Sequence, residues 1–329
     1  MDTYFSPVKK SGLLVSLLLL IAFLAACGSD SASSEGDSEE GTNEESSASY
    51  EVEHAMGTTT LEEKPEKVVT LYQGANDTAT AFGVTPVGIV ESWVQQPVYD
   101  YLKEDLEGVE IVGQETQPNL EEIAALEPDL IVATKTRHEE VYEQLQQIAP
   151  TVATEEVFDF KGTVSLMGEA LGEEEKAEEI LNNFDERVQD LQGKLEAKLG
   201  DEWPLNISIL NFRADHARIY FESFAGSILS DVGFERPENQ QSDDWGIQLT
   251  DKESITEMNA DVFYIFMEED EAVKANYEEW TNHPLWANLD AVQNDQVYMV
   301  DQVVWNMAGG IKSANLLLDD LYDRFELEK

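Results

Sequence analysis

Apolar and polar positions divide the chain into segments of contrasting texture. Leu13 to Leu24 is a mostly apolar run of about 12 residues, short of the roughly 20 that carry a helix across a bilayer. From Gly28 to about Tyr50 the pattern inverts to Ser, Glu, Asp and Gly with almost no apolar side chain. Such a segment buries too little surface to offset the entropy of ordering, so it reads as a tether. Beyond it, Lys67 to Tyr72 reads as a buried strand, followed by a Gly/Asn turn and an apolar helix through Ala81. Pro86 to Val90 is the next strand. Asn119 to Ala133 then joins an amphipathic helix, apolar at Leu120, Ile123 and Leu126, to a continuous apolar strand. Strands alternating with helices predict a parallel α/β sheet.

The helix-strand unit recurs at Lys252 to Ile265, where Glu253, Ile255, Met258 and Asp261 fall opposite Glu121, Ile123, Leu126 and Asp129 at one constant offset. Two related, Rossmann-like α/β lobes are therefore expected. Between them Thr163 to Leu199 contains no Pro and is apolar at Ala177, Ile180, Leu181, Phe184, Val188, Leu191 and Leu195, a helical period on one face. This predicts one long amphipathic helix. It serves either to brace both lobes or to form a coiled-coil dimer; the apolar runs on each side need a partner, which favours packing within a monomer. The chain closes on a strand, Gln296 to Val300, and a helix from about Gly310 to Phe325 with Leu316, Leu317 and Leu321 inward. The expected organisation is a signal peptide at 1–26, a tether at 27–50, an N-terminal lobe at 51–160, a linking helix at 161–200 and a C-terminal lobe at 201–329.

Composition adds an electrostatic constraint. The 329 residues carry 20 Lys and Arg against 68 Asp and Glu, a formal net charge of −48, which excludes nucleic acid as a partner. With 42% hydrophobic residues the chain still has enough material for a large core. Single acidic residues carry little information in such a chain, because most are solvated surface. The six arginines, Arg137, Arg187, Arg213, Arg218, Arg236 and Arg324, carry more.

The N-terminus has the layout of a secretory signal: Lys9 and Lys10, the apolar run, then Leu24-Ala25-Ala26-Cys27. Cys27 is the only cysteine, so it has no partner for an internal disulfide. Leu-Ala-Ala-Cys resembles the bacterial lipobox, in which the signal is cut before a Cys that carries a diacylglyceryl group. The resemblance implies a lipid-anchored protein on the outer face of a membrane, with Gly28 to Tyr50 as its tether.

Catalytic signatures are missing. There is no His-Glu-x-x-His and no Gly-x-Ser-x-Gly, and Gly310-Ile-Lys-Ser313 interrupts a Walker A. The histidines, His54, His138, His216 and His283, are not spaced as metal ligands. Cations, however, collect at the carboxyl ends of expected strands, where α/β sheets bind ligands. Lys135 and Arg137 follow Leu130 to Ala133; Arg213, His216 and Arg218 follow Ile207 to Phe212. Guanidinium forks match carboxylates, so an anion-binding cleft is expected there, unless the cations pair with nearby acids such as Glu139 and Asp215. Tyr72, Trp93 and the pair Trp305-Asn306 lie in turn-like stretches after strands and are the candidate aromatic and polar contacts.

Four segments, Pro65-Glu-Lys-Val-Val-Thr-Leu, Gly83-Val-Thr-Pro-Val-Gly88, Leu120-Glu-Glu-Ile-Ala-Ala-Leu-Glu-Pro-Asp-Leu-Ile-Val132 and Trp286-Ala-Asn-Leu-Asp-Ala-Val-Gln-Asn-Asp-Gln-Val-Tyr298, together with the lipobox, resemble one family. It is the iron-siderophore substrate-binding lipoproteins of ABC importers, and the likeness covers about residues 50 to 325. Asn211 to Tyr220 and Trp305 to Gly310 look like the branch that takes citrate-based or hydroxamate ferric siderophores in Gram-positive bacteria. The resemblance implies the class III binding-protein fold and a non-enzymatic receptor with no cofactor, whose iron is held by the siderophore. It further implies docking on the permease through one acid per lobe, Glu139 and Glu271. Same-fold receptors for haem or cobalamin remain an alternative, as does, more remotely, a secreted lipoprotein enzyme.

Overall fold

The fold is that of a computed structural model, which describes residues 49–242 and 244–329. The expected signal peptide, Cys27 and nearly all of the tether lie outside the described residues. The described chain opens with an antiparallel hairpin, β1 (Tyr50–His54) and β2 (Gly57–Leu61), anchored by the Tyr50 hydroxyl donating to the Ala170 carbonyl at 3.0 Å. Tyr50 is thus part of a strand and not of the tether.

The N-lobe is a six-stranded sheet. It is built from β3 (Val68–Thr70), α1 (Gln73–Ala81), β4 (Gly88–Glu91), β5 (Glu110–Gln114), β6 (Gln117–Pro118), α2 (Leu120–Ala125), β7 (Leu130–Thr134), α3 (Lys135–His138), α4 (Tyr142–Gln146) and β8 (Thr151–Thr154). Strand order is β6-β5-β4-β3-β7-β8, parallel except for the short β6. Every residue of β3 and β7 is buried, as their continuous apolar runs require in a sheet covered on both faces. Asn119 starts α2 by accepting the Glu121 and Glu122 N–H groups.

The expected single helix from Thr163 is two. α5 (Phe160–Leu171) ends at Gly172, whose left-handed backbone (φ 61°) closes it, and α6 (Glu174–Leu199) begins two residues later. The apolar spacing runs on across the break, which is why periodicity alone joins them. At about 1.5 Å per residue, the 26 residues of α6 span roughly 39 Å.

The C-lobe contains β9 (Ile207–Phe212), β10 (Ala217–Tyr220), α7 (Phe224–Val232), β11 (Gly246–Leu249), β12 (Val262–Met267), α8 (Glu271–Thr281), α9 (Asp290–Gln293), β13 (Val297–Met299) and α10 (Ile311–Arg324). Its order is β11-β10-β9-β12-β13. Here the all-parallel expectation fails: β9, β12 and β13 are parallel, but β9, β10 and β11 form an antiparallel meander. Only a four-residue turn separates β9 from β10, too short for a parallel crossover. In α10 the inward leucines are Leu317, Leu318 and Leu321, with Leu316 half-buried.

The repeat detected in the sequence is structural. Asp129 Oδ2 accepts the Glu66 and Lys67 N–H groups, at 3.1 and 2.8 Å, just before β3. Asp261 Oδ2 accepts the Asn206 N–H at 2.8 Å just before β9. The units differ in one respect: the second helix, Lys252–Met258, is wound as a 3-10 helix.

One cluster of buried side chains runs through both lobes. Val68 and Leu130 of the N-lobe, Phe160 of α5, Phe184, Val188, Leu191 and Leu195 of α6, and Ile207, Val262 and Tyr264 of the C-lobe all belong to it. α6 therefore buries its apolar face in the chain's own core. The lobes are also joined through Asp77 of α1, which is fully buried. Its Oδ1 accepts the Lys312 N–H at 2.7 Å, and its Oδ2 accepts the Ser313 N–H at 2.9 Å and the Tyr101 hydroxyl at 2.6 Å. A carboxylate of one lobe thus caps the closing helix of the other. A Cβ on Gly310 would stand 2.3 Å from Asp77, so the approach needs glycine there.

Candidate functional site

Strand ends from both sheets meet around a cavity of about 430 Å³. From the N-lobe come Tyr72, Gln73 and Gly74 after β3, Trp93 after β4, Glu115 after β5, Arg137 after β7 and Phe158 after β8. The C-lobe supplies Arg213 after β9, Glu268 after β12, and the segment Asn306 to Gly309 before α10. These are the carboxyl ends of the parallel strands, the position at which open α/β sheets bind ligands. A larger depression of about 620 Å³, lined by Lys198, Asp261, Tyr298 and Arg324 among others, opens instead at the amino ends of β9 and β12. None of the residues singled out in the sequence as site candidates lies there.

Arg137 and Arg213 face the cavity from opposite lobes. The Arg137 Nε–H donates to Glu115 Oε1 at 3.2 Å. Burial pushes the Glu115 carboxyl up, while the Gln73 N–H, Arg137 and Trp93 pull it back. Arg213 donates from Nε to Asn211 Oδ1 at 2.8 Å and from Nη1 to Glu268. The acids that neutralise the cleft are therefore Glu115 and Glu268, not Glu139 or Asp215. Lys135 is turned away onto Glu155.

Arg218 lies on β10 beside the cavity, not among its lining residues. Its Nε–H donates to His216 Nε2 at 3.0 Å, and its guanidinium lies 5.8 Å from the Trp245 ring centre. Accepting at Nε2, His216 carries its proton on Nδ1, which faces Asp215 Oδ1 at 2.6 Å.

The aromatic candidates divide. Trp93 is 44% exposed at the cavity mouth. Tyr72 lines the cavity but is fully buried, its hydroxyl bound by Thr163 and Thr154, and burial pushes its ionisation up to about 12. Trp305 does not reach the cleft. A π-helical turn, Val303–Met307, points its ring into the core against Tyr264 at 4.6 Å, with the indole N–H on Asp320, and leaves Asn306 at the cavity. Two further aromatics are exposed: Phe158, 38% exposed on the cavity, and Trp245, 50% exposed beside Arg218. An exposed Phe leaves no sequence signal; Trp245 pairs with Arg218 only because β11 returns beside β10.

Glu139, after α3, and Glu271, the first residue of α8, are both exposed and follow the carboxyl ends of β7 and β12. Among the described residues no three of His, Cys, Asp and Glu converge as a metal site, and no helix is long and apolar enough to cross a membrane.

Two α/β lobes sharing one core, bridged by a long helix and enclosing an arginine- and aromatic-lined cleft, define a class III substrate-binding fold. The chain belongs to the periplasmic binding protein family, whose profile matches residues 68–304. It is 46% identical over 260 residues to the achromobactin-binding periplasmic protein of Dickeya dadantii, covering 78% of this chain and 85% of that one. It is 40% identical over 329 residues to the probable siderophore-binding lipoprotein YfiY of Bacillus subtilis, covering 96% and 98%. Staphylococcus aureus SirA, solved in complex with staphyloferrin B, superposes with a TM-score of 0.82 at 51% identity, over 85% of this chain and 99% of that one.

Proposed function

We propose that this protein is the receptor of an ABC importer, held on the outer face of a Gram-positive cell membrane by lipid on Cys27. It captures a ferric siderophore of the citrate-based type and delivers it to the permease. The observation that carries this reading is the pair Arg137 and Arg213, presented to one cavity from opposite lobes in a chain of net charge −48. Cations so scarce, gathered at one cleft with aromatic surface beside them, suit a chelate that is both anionic and partly apolar. Iron is held by the chelator and the protein supplies no cofactor and no chemistry. It acts as a monomer, and Glu139 and Glu271 are its contacts with the permease. The achromobactin-binding and probable siderophore-binding relatives, and SirA solved with staphyloferrin B, support the same class of cargo.

The test is a tryptophan fluorescence titration of the described body, from Ser49 onward, against ferric citrate, ferric staphyloferrin B, a neutral ferric trihydroxamate, haem and cobalamin, with iron-free chelators as controls. Saturable quenching by an anionic ferric carboxylate, absent with its iron-free form, is the expected result. Tight binding of haem or cobalamin alone would overturn it.

A further inference from the structure

The six arginines of the chain divide by the nitrogen that is held. Arg187 uses Nη1 and Nη2 toward Asn315 and Asp319, Arg236 uses Nη1 toward Glu222, and Arg324 uses Nη2 toward Asp320 and the Met299 carbonyl. The two arginines that line the cleft, and Arg218 beside it, are instead held through Nε: Arg137 by Glu115 at 3.2 Å, Arg213 by Asn211 at 2.8 Å and Arg218 by His216 at 3.0 Å. Among the described residues nothing accepts from the terminal nitrogens of Arg137 or Arg218, and Arg213 has one of its two engaged by Glu268. Each acceptor is itself fixed. Glu115 is buried and also takes the Gln73 N–H; Asn211 is buried and donates to the Phe266 carbonyl; His216 is buried against Asp215.

A guanidinium meets a carboxylate either side-on, through Nε and one Nη, or end-on, through both Nη atoms. Occupying Nε removes the first mode and fixes the direction of the second. We propose that Glu115, Asn211 and His216 are positioning residues that hold these three guanidiniums, in the cleft and at its edge, by Nε, so that cargo carboxylates are received end-on. The inference rests on the anionic-cargo reading above. In the C-lobe it has a sequence signature: Asn211-x-Arg213 and His216-x-Arg218 place acceptor and arginine two residues apart, on one side of an extended backbone.

The experiment measures ferric staphyloferrin B affinity in Glu115→Gln, Glu115→Leu and Arg137→Ala, and in Glu115→Leu combined with Arg137→Ala. Gln keeps an acceptor for Nε and should stay within about threefold of the parent, whereas Leu should weaken binding about tenfold, in the range of coupled neighbours. In the Arg137→Ala background the Leu substitution should cost almost nothing, because its effect passes through Arg137. Equal losses in both backgrounds would make Glu115 merely structural and overturn the proposal. Hydrogen exchange of the arginine Nε–H groups, followed by NMR without any ligand, supplies a second readout. The Arg137 Nε–H should be protected in the parent and in Glu115→Gln, and should lose protection in Glu115→Leu; unprotected Nε–H groups in the parent would also overturn the proposal. If the parent binds no anionic ferric chelate, the functional reading fails by itself, and the exchange measurement still decides the anchoring.

Discussion

Asp77 in the N-lobe and Ser313 in the C-lobe are 236 residues apart in sequence, yet the Asp77 carboxylate accepts the Ser313 N–H at 2.9 Å in a fully buried setting. The same carboxylate satisfies the Lys312 N–H and the Tyr101 hydroxyl. One side chain therefore satisfies three donors, buried or part-buried, and caps α10.

Asp77→Ala should strand those donors and destabilise the protein by about 2–4 kcal/mol. Asp77→Asn keeps part of the acceptor capacity and should cost less. Urea unfolding followed by circular dichroism checks both; an alanine variant as stable as the parent would mean the cap contributes nothing.

Arg137→Ala and Arg213→Ala should each weaken binding of an anionic ferric chelate by roughly tenfold to a hundredfold, the worth of one charge-assisted hydrogen bond, and Arg218→Ala, beside the cavity, should cost less. Lysine should restore only part, since an ammonium has no planar fork. Arg324 is unsuitable as an exposed control, because it lies over the Tyr298 ring and pairs with Asp320, with its side chain only 18% exposed. Lys252, paired with Glu279 on a helix that precedes β12, takes that place, and Lys252→Ala should leave affinity unaltered.

Replacing Glu139 and Glu271 by glutamine should impair cellular iron uptake while direct titration of the purified protein shows unchanged affinity. Both carboxylates are exposed, and neither lines the cavity. A tenfold loss of affinity, about 1.4 kcal/mol, would instead place them in the cleft.

Stability should fall between pH 6.5 and about 4. His138 is buried, donates from Nε2 to the Glu115 carbonyl at 2.9 Å and accepts the Thr134 N–H, and burial lowers its ionisation to about 4. A base held below its ordinary value contributes stability that is fully present above pH 6.5 and is lost as pH falls through its folded value. The slope is at most about 1.4 kcal/mol per pH unit. Asp77 and Glu115, raised by burial, act in the opposite sense. The difference between parent and His138→Gln isolates the histidine: the gap in denaturation midpoint should change across this window, and a constant gap would refute the assignment.

How far the sequence reaches depends on what each residue's neighbours are. Continuous apolar strands such as β7 and the amphipathic face of α6 are legible because burial there follows from local pattern. The repeat is legible too, since Asp129 and Asp261 do the same work in each lobe. The antiparallel turn of β10 is not, because strand direction is set by pairing partners and not by composition. Arg137 and Arg213 reach the cavity, as their position after strands suggests, whereas Trp305 turns into the core: in a π-helical turn, one residue of register decides between core and cleft.

The core that threads α6 and both sheets also bears on how the protein melts. Neither lobe keeps its whole apolar interior if the other comes apart: each has a cluster of its own, but Phe184 and Leu191 belong to the one that both lobes share. Heat should therefore meet a single cooperative unit, with one calorimetric transition in place of a separate peak for each lobe. Cargo bound at the cleft should move that entire transition upward and not split it.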